Sequence, residues 1–345
     1  MERVSIAICG LGRAGSIHTG NCVRNPRVHI KYFVEIDTAR AEEVKRNFGL
    51  NDTIVVHTDD FKKVQDDPEV KGVIIATVTY THEFFVKKCI EAKKTIFCEK
   101  PIAESLKDTV SCYEEAERNG VSLFCAFNRR FDETHASLKN AVAQGEIGKV
   151  HMVKVCSRDS PLPSEAYLKI SGGIFHDCAV HDIDMASWVL GEYPVEVFTY
   201  AHAFRKFIAD MNDVDTVSIS MKFPSGAIGQ IDLSRLAVYG YDQRVEVLGD
   251  KGMLQSENQH KTSLRKSTQS SVSNDLLKFS FPQRYPEGYA AEIDHFLEVI
   301  GGKQPCISKT DVAMISLIAS ACEESHKAGK PMRINKDALT YEPVL

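Results

Sequence analysis

The chain has no pair of cysteines at C-x-x-C spacing, no internal repeat, no surplus of positive charge, and no apolar run near the ~20 residues that span a bilayer. Each absence removes a class of function. The ten cysteines stand at positions 9, 22, 89, 98, 112, 125, 156, 178, 306 and 322. Without a C-x-x-C pair they indicate neither a zinc knuckle nor a redox dithiol. Cys9, Cys98 and Cys125 lie inside apolar runs, which suits buried free thiols in a reducing compartment. The balance of 42 Lys and Arg against 47 Asp and Glu leaves a formal charge of −5. That excludes an electrostatic nucleic-acid binder or a membrane-surface protein. The opening MERVSIAICGLGRAG carries only a short apolar run, ends in a glycine turn with Arg13, and offers no small-residue cleavage site. No secretory leader is expected, and the cytoplasm is the expected location.

What is present is a globular composition, with 43% hydrophobic and 26% charged residues over 345 positions. At about 150 residues per domain, two domains are expected. The first half alternates strand and helix. RVSIAIC, VHIKYFVEI, TIVVHT, KGVIIATV, KTIFCE and VSLFCAF read as strands, mostly apolar on both faces. Between them lie helical stretches at 38–48, from Thr81 to about Lys93, and at 105–119. This is the pattern of βαβ units around a parallel sheet. It breaks near Asn128, so the boundary is set there: 1–127 as a doubly wound nucleotide-binding domain and 128–345 as a second α/β domain. In the second half a helix at 131–144 leads into KVHMVKVCSRD. The later stretches VEVFTYAHAF, DTVSISMKF, GAIGQIDLSR and QRVEVLGD alternate as a mostly antiparallel sheet. Residues 256–273 read as a long mobile hairpin or loop, and two helices near 288–300 and 310–328 close the chain.

Gly10-Leu11-Gly12-Arg13-Ala14-Gly15 is a G-x-G-x-x-G element, weak by itself. Here it follows a strand and opens a helix, the context in which glycines let the backbone approach a pyrophosphate at a helix N-terminus. The second strand ends at Glu35, about twenty residues after the last glycine, where a carboxylate accepts the adenosine ribose hydroxyls. Asp37 sits where a helix cap would. An acid at this place favours NAD over NADP. A 2′-phosphate about 4 Å away is repelled by about 1 kcal/mol in water and about 4 kcal/mol at a protein-surface dielectric. Arg40 lies close in sequence and offsets part of that repulsion.

Lys100, in Glu99-Lys100-Pro101, ends the fifth strand at the carboxyl edge of the sheet. It reads either as a solvated strand-end lysine or as a donor to a substrate hydroxyl that stabilises the alkoxide. Gly172-Gly173 opens a segment, 174–190, that reads as a helix. At about 100° per residue, Asp177 and His181 fall about 40° apart, and His176 and His181 about 140° apart. An Asp with a His four residues on is an oriented general base; Asp184 continues the stripe. The plain alternative is a capped helix with a core histidine. A metal site on His176, Asp177, His181, Asp182 or Asp184 is disfavoured by the angle between the histidines, so no metal is expected.

G-x-G-x-x-G, E-K-P at 99–101 and G-G-x-x-x-D-x-x-x-H-D at 172–182, in this order, resemble the Gfo/Idh/MocA oxidoreductases. FNRRFD at 127–132, GEIGKV at 145–150 and YGYDQRVEVLGDKG at 239–252 extend the likeness along essentially the whole chain. The resemblance implies a Rossmann domain followed by an α/β domain with a large open mixed sheet, whose outer face makes homodimers or homotetramers. It implies Lys100, Asp177 and His181 as the catalytic group. Gly10 to Gly15, Glu35, Arg40, Thr77, His82 and Glu99 then serve the cofactor. Asn128, Arg129, Arg158, Asp159 and a tyrosine of Y-G-Y-D, Tyr239 or Tyr241, join the catalytic group in contacting substrate. The implied activity is NAD-dependent oxidation of a ring hydroxyl of a cyclic polyol, myo- or scyllo-inositol, to an inosose. Another sugar or dihydrodiol dehydrogenase, a glycosidase that retains NAD, and a non-enzymatic NAD-sensing regulator are the alternatives. The presence of all three proton-moving residues argues against the regulator.

Overall fold

A computed structural model describes residues 3–344. The early strands are β1 (Val4–Cys9), β2 (Val28–Val34), β3 (Ile54–Val56), β4 (Val70–Ile75), β5 (Thr95–Glu99) and β6 (Leu123–Ala126). The principal helices between them are α1 (Arg13–Arg24), α2 (Thr38–Asn47), α3 (His82–Glu91) and α4 (Leu106–Arg118). Next come α5 (Glu133–Ala143), β7 (Val150–Arg158), α6 (Val180–Leu190), β8 (Glu196–His202), β9 (Thr216–Lys222), β10 (Ile228–Ser234), β11 (Asp242–Gly249) and β12 (Gly252–Ser256). The chain ends with β13 (Arg265–Ser267), β14 (Val272–Asn274), α7 (Pro286–Ile300), α8 (Lys309–Ala328), β15 (Met332–Asn335) and β16 (Thr340–Pro343).

Two compact units result. One holds residues up to Phe131 together with Glu287–Ala313; the other holds Asp132–Pro286 and the chain from Met314 on. The first unit contains a six-stranded sheet in the order β3-β2-β1-β4-β5-β6, parallel throughout. This is the doubly wound sheet expected from the near-continuous apolar strands, and Ile6, Ile8, Val73, Ile74, Ile96 and Phe97 form its core. Strand order reverses between β1 and β4, so the carboxyl ends of these strands form the crevice where such sheets bind ligands. Asp37 caps α2, accepting from the Arg40 N–H at 3.1 Å. Thr81 does not cap α3: its hydroxyl lies 2.8 Å from the Val78 carbonyl and 2.7 Å from the Thr77 hydroxyl instead.

The expected division ran the second domain unbroken from 128 to 345, whereas α7 packs in the first unit. Gly72 of β4 shows how. A Cβ there would stand 2.7 Å from Phe296 and from Ile300 of α7, so the missing side chain admits the helix.

The second unit is built on an eight-stranded mixed sheet, β12-β11-β7-β10-β9-β8-β15-β16. β7 and β10 are parallel and the other pairs antiparallel. Along β7, Val153, Val155 and Ser157 are buried on the side that packs against α6, and Lys154, Cys156 and Arg158 alternate to the other face. The segment read as a long hairpin or loop is the β13–β14 hairpin, a sheet of its own. The chain does not close on helices. β15 and β16 add a hairpin to the large sheet, with strands of four residues each, too short to declare a period in sequence.

Candidate functional site

The glycine turn after β1 is preformed. Gly10 has φ +85°, which favours glycine, and a Cβ there would meet the Ala76 carbonyl oxygen at 2.6 Å. A Cβ on Gly15 would meet the Gly10 oxygen at 1.9 Å, so this glycine lets α1 close onto the turn. Gly12 is different: a Cβ there meets nothing within 4 Å, so the turn is open on that side. Gly12 is also the N-cap of α1. It supplies no side-chain cap, and the first turn carries no acid. The helix therefore presents its positive end and first-turn N–H groups through the open side, with Arg13 and Ala14 in that turn.

Glu35 stands directly beside this turn. One carboxylate oxygen accepts from the Leu11 N–H at 2.6 Å and the other from the Ile36 N–H at 2.9 Å. A carboxylate has about four lone-pair sites, so two backbone bonds fix it and leave capacity for a ribose diol. Arg40 donates from Nε and Nη2 to the Leu11 carbonyl, at 3.1 and 3.0 Å, and clamps the turn from its other side. The donors and acceptors here fit the pyrophosphate and ribose of a dinucleotide.

At the next two strand ends the roles divide. Thr77 follows β4, half-buried. His82 is 1% exposed, and its ring nitrogens lie 3.1 Å from the Thr77 carbonyl and 2.7 Å from the Pro101 carbonyl. Burial holds the imidazole pKa down despite those contacts, and the neutral ring can donate to only one of the two carbonyls at a time, bracing one loop or the other. A direct cofactor contact, as expected from the sequence, is not what its hydrogen bonds serve. Glu99 bonds His18 Nε2 at 2.7 Å. Burial raises its carboxyl pKa, but the His18 bond and the charges of His18, Lys100 and His82 outweigh that and lower it. Lys100 follows, half-buried, at the end of β5. Asn128 and Arg129 are buried in a turn just after β6 in the same unit.

In the second unit, Gly172 and Gly173 both take φ of +82°, as only glycine does readily. The helix they open is not uniform. Phe175–Ala179 forms a π-helical turn before α6, a local widening that often marks functional sites. Asp177 lies in that turn and His181 in the first turn of α6. Asp177 is 9% exposed and doubly held: Tyr167 Oη donates to Oδ1 at 2.8 Å and Arg235 Nη1 to Oδ2 at 2.5 Å. Arg235 is wholly buried, and its Nη2 lies 3.5 Å from Asp213, which also accepts from the Ile174 N–H. Asp177 and Asp213 overcome the desolvation of the guanidinium and keep it firmly charged. Asp159 joins this group, accepting from Cys178 Sγ at 3.5 Å. His176 turns away and pairs with Glu323 of α8 at 3.3 Å.

Arg235 is not among the residues that the sequence motifs single out, although a signal for it exists. Gly229, Ile231 and Leu233 occupy the buried positions of β10, and Arg235 continues that parity just beyond the strand. An arginine on an inward-facing stripe needs a carboxylate partner.

Two expected substrate residues fall elsewhere. Arg158 bonds Asp232 and donates to Tyr239 Oη at 2.9 Å, while Tyr239 donates to Asp242 at 2.7 Å. Strand alternation puts Arg158, Asp232 and Asp242 on the sheet face opposite α6, and the Tyr239 hydroxyl is bonded to that group, so Arg158 and Tyr239 are not beside Asp177. Tyr241 immediately precedes β11. It is buried, with its ring centroid 6.1 Å from that of Tyr285.

Two family models match consecutive parts of the chain. Residues 4–127 match the model of an oxidoreductase family with an NAD-binding Rossmann fold, and residues 135–255 match that of the GFO/IDH/MocA C-terminal domain. The myo-inositol 2-dehydrogenase of Thermotoga maritima is 35% identical over 96% of this chain and 98% of its own. The scyllo-inositol 2-dehydrogenase (NAD(+)) of Bacillus subtilis is 34% identical over 97% of both chains. The crystal structure of a myo-inositol dehydrogenase from Corynebacterium glutamicum superposes with a TM-score of 0.90, at 31% identity, over 96% of this chain and 99% of that one.

Proposed function

From the premise that the chain belongs to the Gfo/Idh/MocA family of oxidoreductases, we propose that it is an NAD-dependent dehydrogenase that oxidises one ring hydroxyl of myo- or scyllo-inositol to the ketone. The observation that carries this reading is the buried Asp177 carboxylate, fixed by Tyr167 and Arg235 one helical turn before His181. A carboxylate held this way orients an imidazole and stabilises its protonated form. His181 takes the proton from the hydroxyl oxygen. Lys100 is assigned the hydrogen bond to that oxygen and steadies the negative charge that develops on it. When bound at the glycine turn, NAD+ supplies the acceptor for the hydrogen and electron pair leaving the carbinol carbon. Asp159, Tyr241, Asn128 and Arg129 are the remaining substrate contacts.

These groups are polar, and an unpaired polar group left buried costs about 1–3 kcal/mol. A polyol satisfies them and an aromatic diol does not. The test is a panel of inositols, deoxy-inositols, pyranoses and a trans-dihydrodiol with NAD+, followed by NADH absorbance. Inositols lead the panel, and deoxy-inositols lose far more activity than their volume change suggests. A dihydrodiol with the highest kcat/KM, or turnover with NAD retained and no net NADH, refutes the reading.

The open face of the large sheet presents Tyr200, Ile228, Leu248 and Met253 as exposed apolar residues. We assign this face to a homodimer or homotetramer contact, checked by light scattering on the eluted protein. Among the described residues no helix is long and apolar enough to cross a membrane. The ten cysteines are all free thiols, which suits the cytoplasm.

A further inference from the structure

Helix α7 carries a glutamate into the core of the first unit. Glu292 is 0% exposed, and neither carboxylate oxygen has a hydrogen-bond partner. The charged group nearest in effect is another carboxylate, Glu99 at the end of β5. His18 of α1 is also fully buried. Its Nε2 bonds Glu99, and its ring packs on Tyr289, one turn before Glu292 on the same helix. The Cys306 thiol, beyond α7, also feels Glu292. A glutamate in this place is expensive compared with a leucine of similar length, because its oxygens are desolvated without compensation. A second ionised carboxylate in the same region as Glu99 would cost more still, so one of the two keeps its proton. His18 anchors the charge on Glu99 and leaves the proton to Glu292. Burial and the Glu99 charge both raise the Glu292 pKa well above the ordinary carboxyl range.

We propose that Glu99 and Glu292 carry one proton between them, held on the buried Glu292, and that this uncharged acid is a positioning element for the Lys100 ammonium. Lys100 is the residue after Glu99 and lies within its electrostatic reach. With Glu292 uncharged, Lys100 has one fixed anion behind it; with Glu292 ionised it would have two. The positioning role rests on the assignment of Lys100 to the reacting oxygen, whereas the proton on Glu292 does not.

The test therefore avoids turnover. Full-length protein and Glu292→Gln are unfolded in urea from about pH 5 to 8, above the ordinary glutamate range. An acid that is neutral when folded and ionised when unfolded loses stability as pH rises. The unfolding constant of the parent should grow about tenfold per pH unit relative to Glu292→Gln. Parallel curves mean that Glu292 is ionised in the fold and overturn the proton assigned to it. A difference infrared spectrum at neutral pH should show the carbonyl stretch of a protonated acid, absent from Glu292→Gln. Should that variant fold poorly, Glu292→Met serves, since neither side chain ionises. For the positioning role, carbon-13 at lysine Cε is titrated, with Lys100 assigned by a Lys100→Arg variant. The Lys100 resonance should show an additional alkaline inflection in the parent that Glu292→Gln lacks. Identical titrations reduce Glu292 to a packing residue. Failure of the substrate panel would leave the proton on Glu292 intact and remove only the ground for the positioning role.

Discussion

Arg235 donates to Asp177 across 2.5 Å, 58 residues away in sequence, with the guanidinium fully shielded from water. The pair fixes the π-helical turn that precedes His181. Removing one partner of a buried ion pair leaves the other uncompensated, at about 3–5 kcal/mol. Arg235→Met should destabilise the second unit by that order in urea unfolding and lower kcat with it. A loss under about 1 kcal/mol would show that water reaches Asp177 and takes over the guanidinium's role.

Arg158 and Asp159 are neighbours in the chain with opposite surroundings. Arg158 belongs to the Asp232–Tyr239–Asp242 cluster, and Asp159 to the Cys178 side. Asp159→Asn should lower kcat/KM for the polyol by about tenfold or more, since a hydrogen bond to a charged group is worth about 1.5–3 kcal/mol. Arg158→Ala should leave kcat/KM within about twofold, the ordinary scatter of a substitution outside the site. Equal losses from the two would place Arg158 in the substrate site after all.

Glu35 already accepts two backbone N–H bonds beside the turn, so its charge is fixed where a 2′-phosphate would arrive. The repulsion, about 1–4 kcal/mol at 4 Å, corresponds to a several-fold to several-hundred-fold preference for NAD+ over NADP+ in kcat/KM. Glu35→Ala should erase most of that preference and also loosen the turn, which Arg40 alone would then clamp. A variant that kept the full preference would assign selectivity to another residue.

Glu323 pairs with His176 and Lys327, and the His176 bond is the larger cause holding its pKa down to about 2. A carboxylate whose folded pKa lies below the ordinary value of about 4.3 stabilises the fold above that value and ceases to do so as pH falls through the folded pKa. The Tm advantage of the parent over Glu323→Gln should be constant near neutrality. It should shrink below about pH 4 and vanish near pH 2. An advantage that persists in acid would trace to packing against α8 instead of charge.

Sequence alone determined what is local. The strand–turn–helix around Gly10 to Gly15 is written in consecutive residues, and so is the acid that ends β2, because steric freedom at glycine and the run of apolar side chains act within a few positions. The i, i+4 relation of Asp177 and His181 is local in the same sense, although the π-helical turn altered the helix between them. Family likeness then lent those residues roles. Tertiary structure decided which partners distant residues find and which face a strand-end residue takes. Residues 150–158 mix apolar and polar side chains on both parities, so only pairing with β10 and β11 fixed Arg158 outward and the Asp159 side inward. Arg235 met Asp177, and Glu292 was buried near the Glu99 charge, because strands and helices far apart in sequence pack together. A desolvated charge is defined by everything that surrounds it, and no window of sequence contains its surroundings.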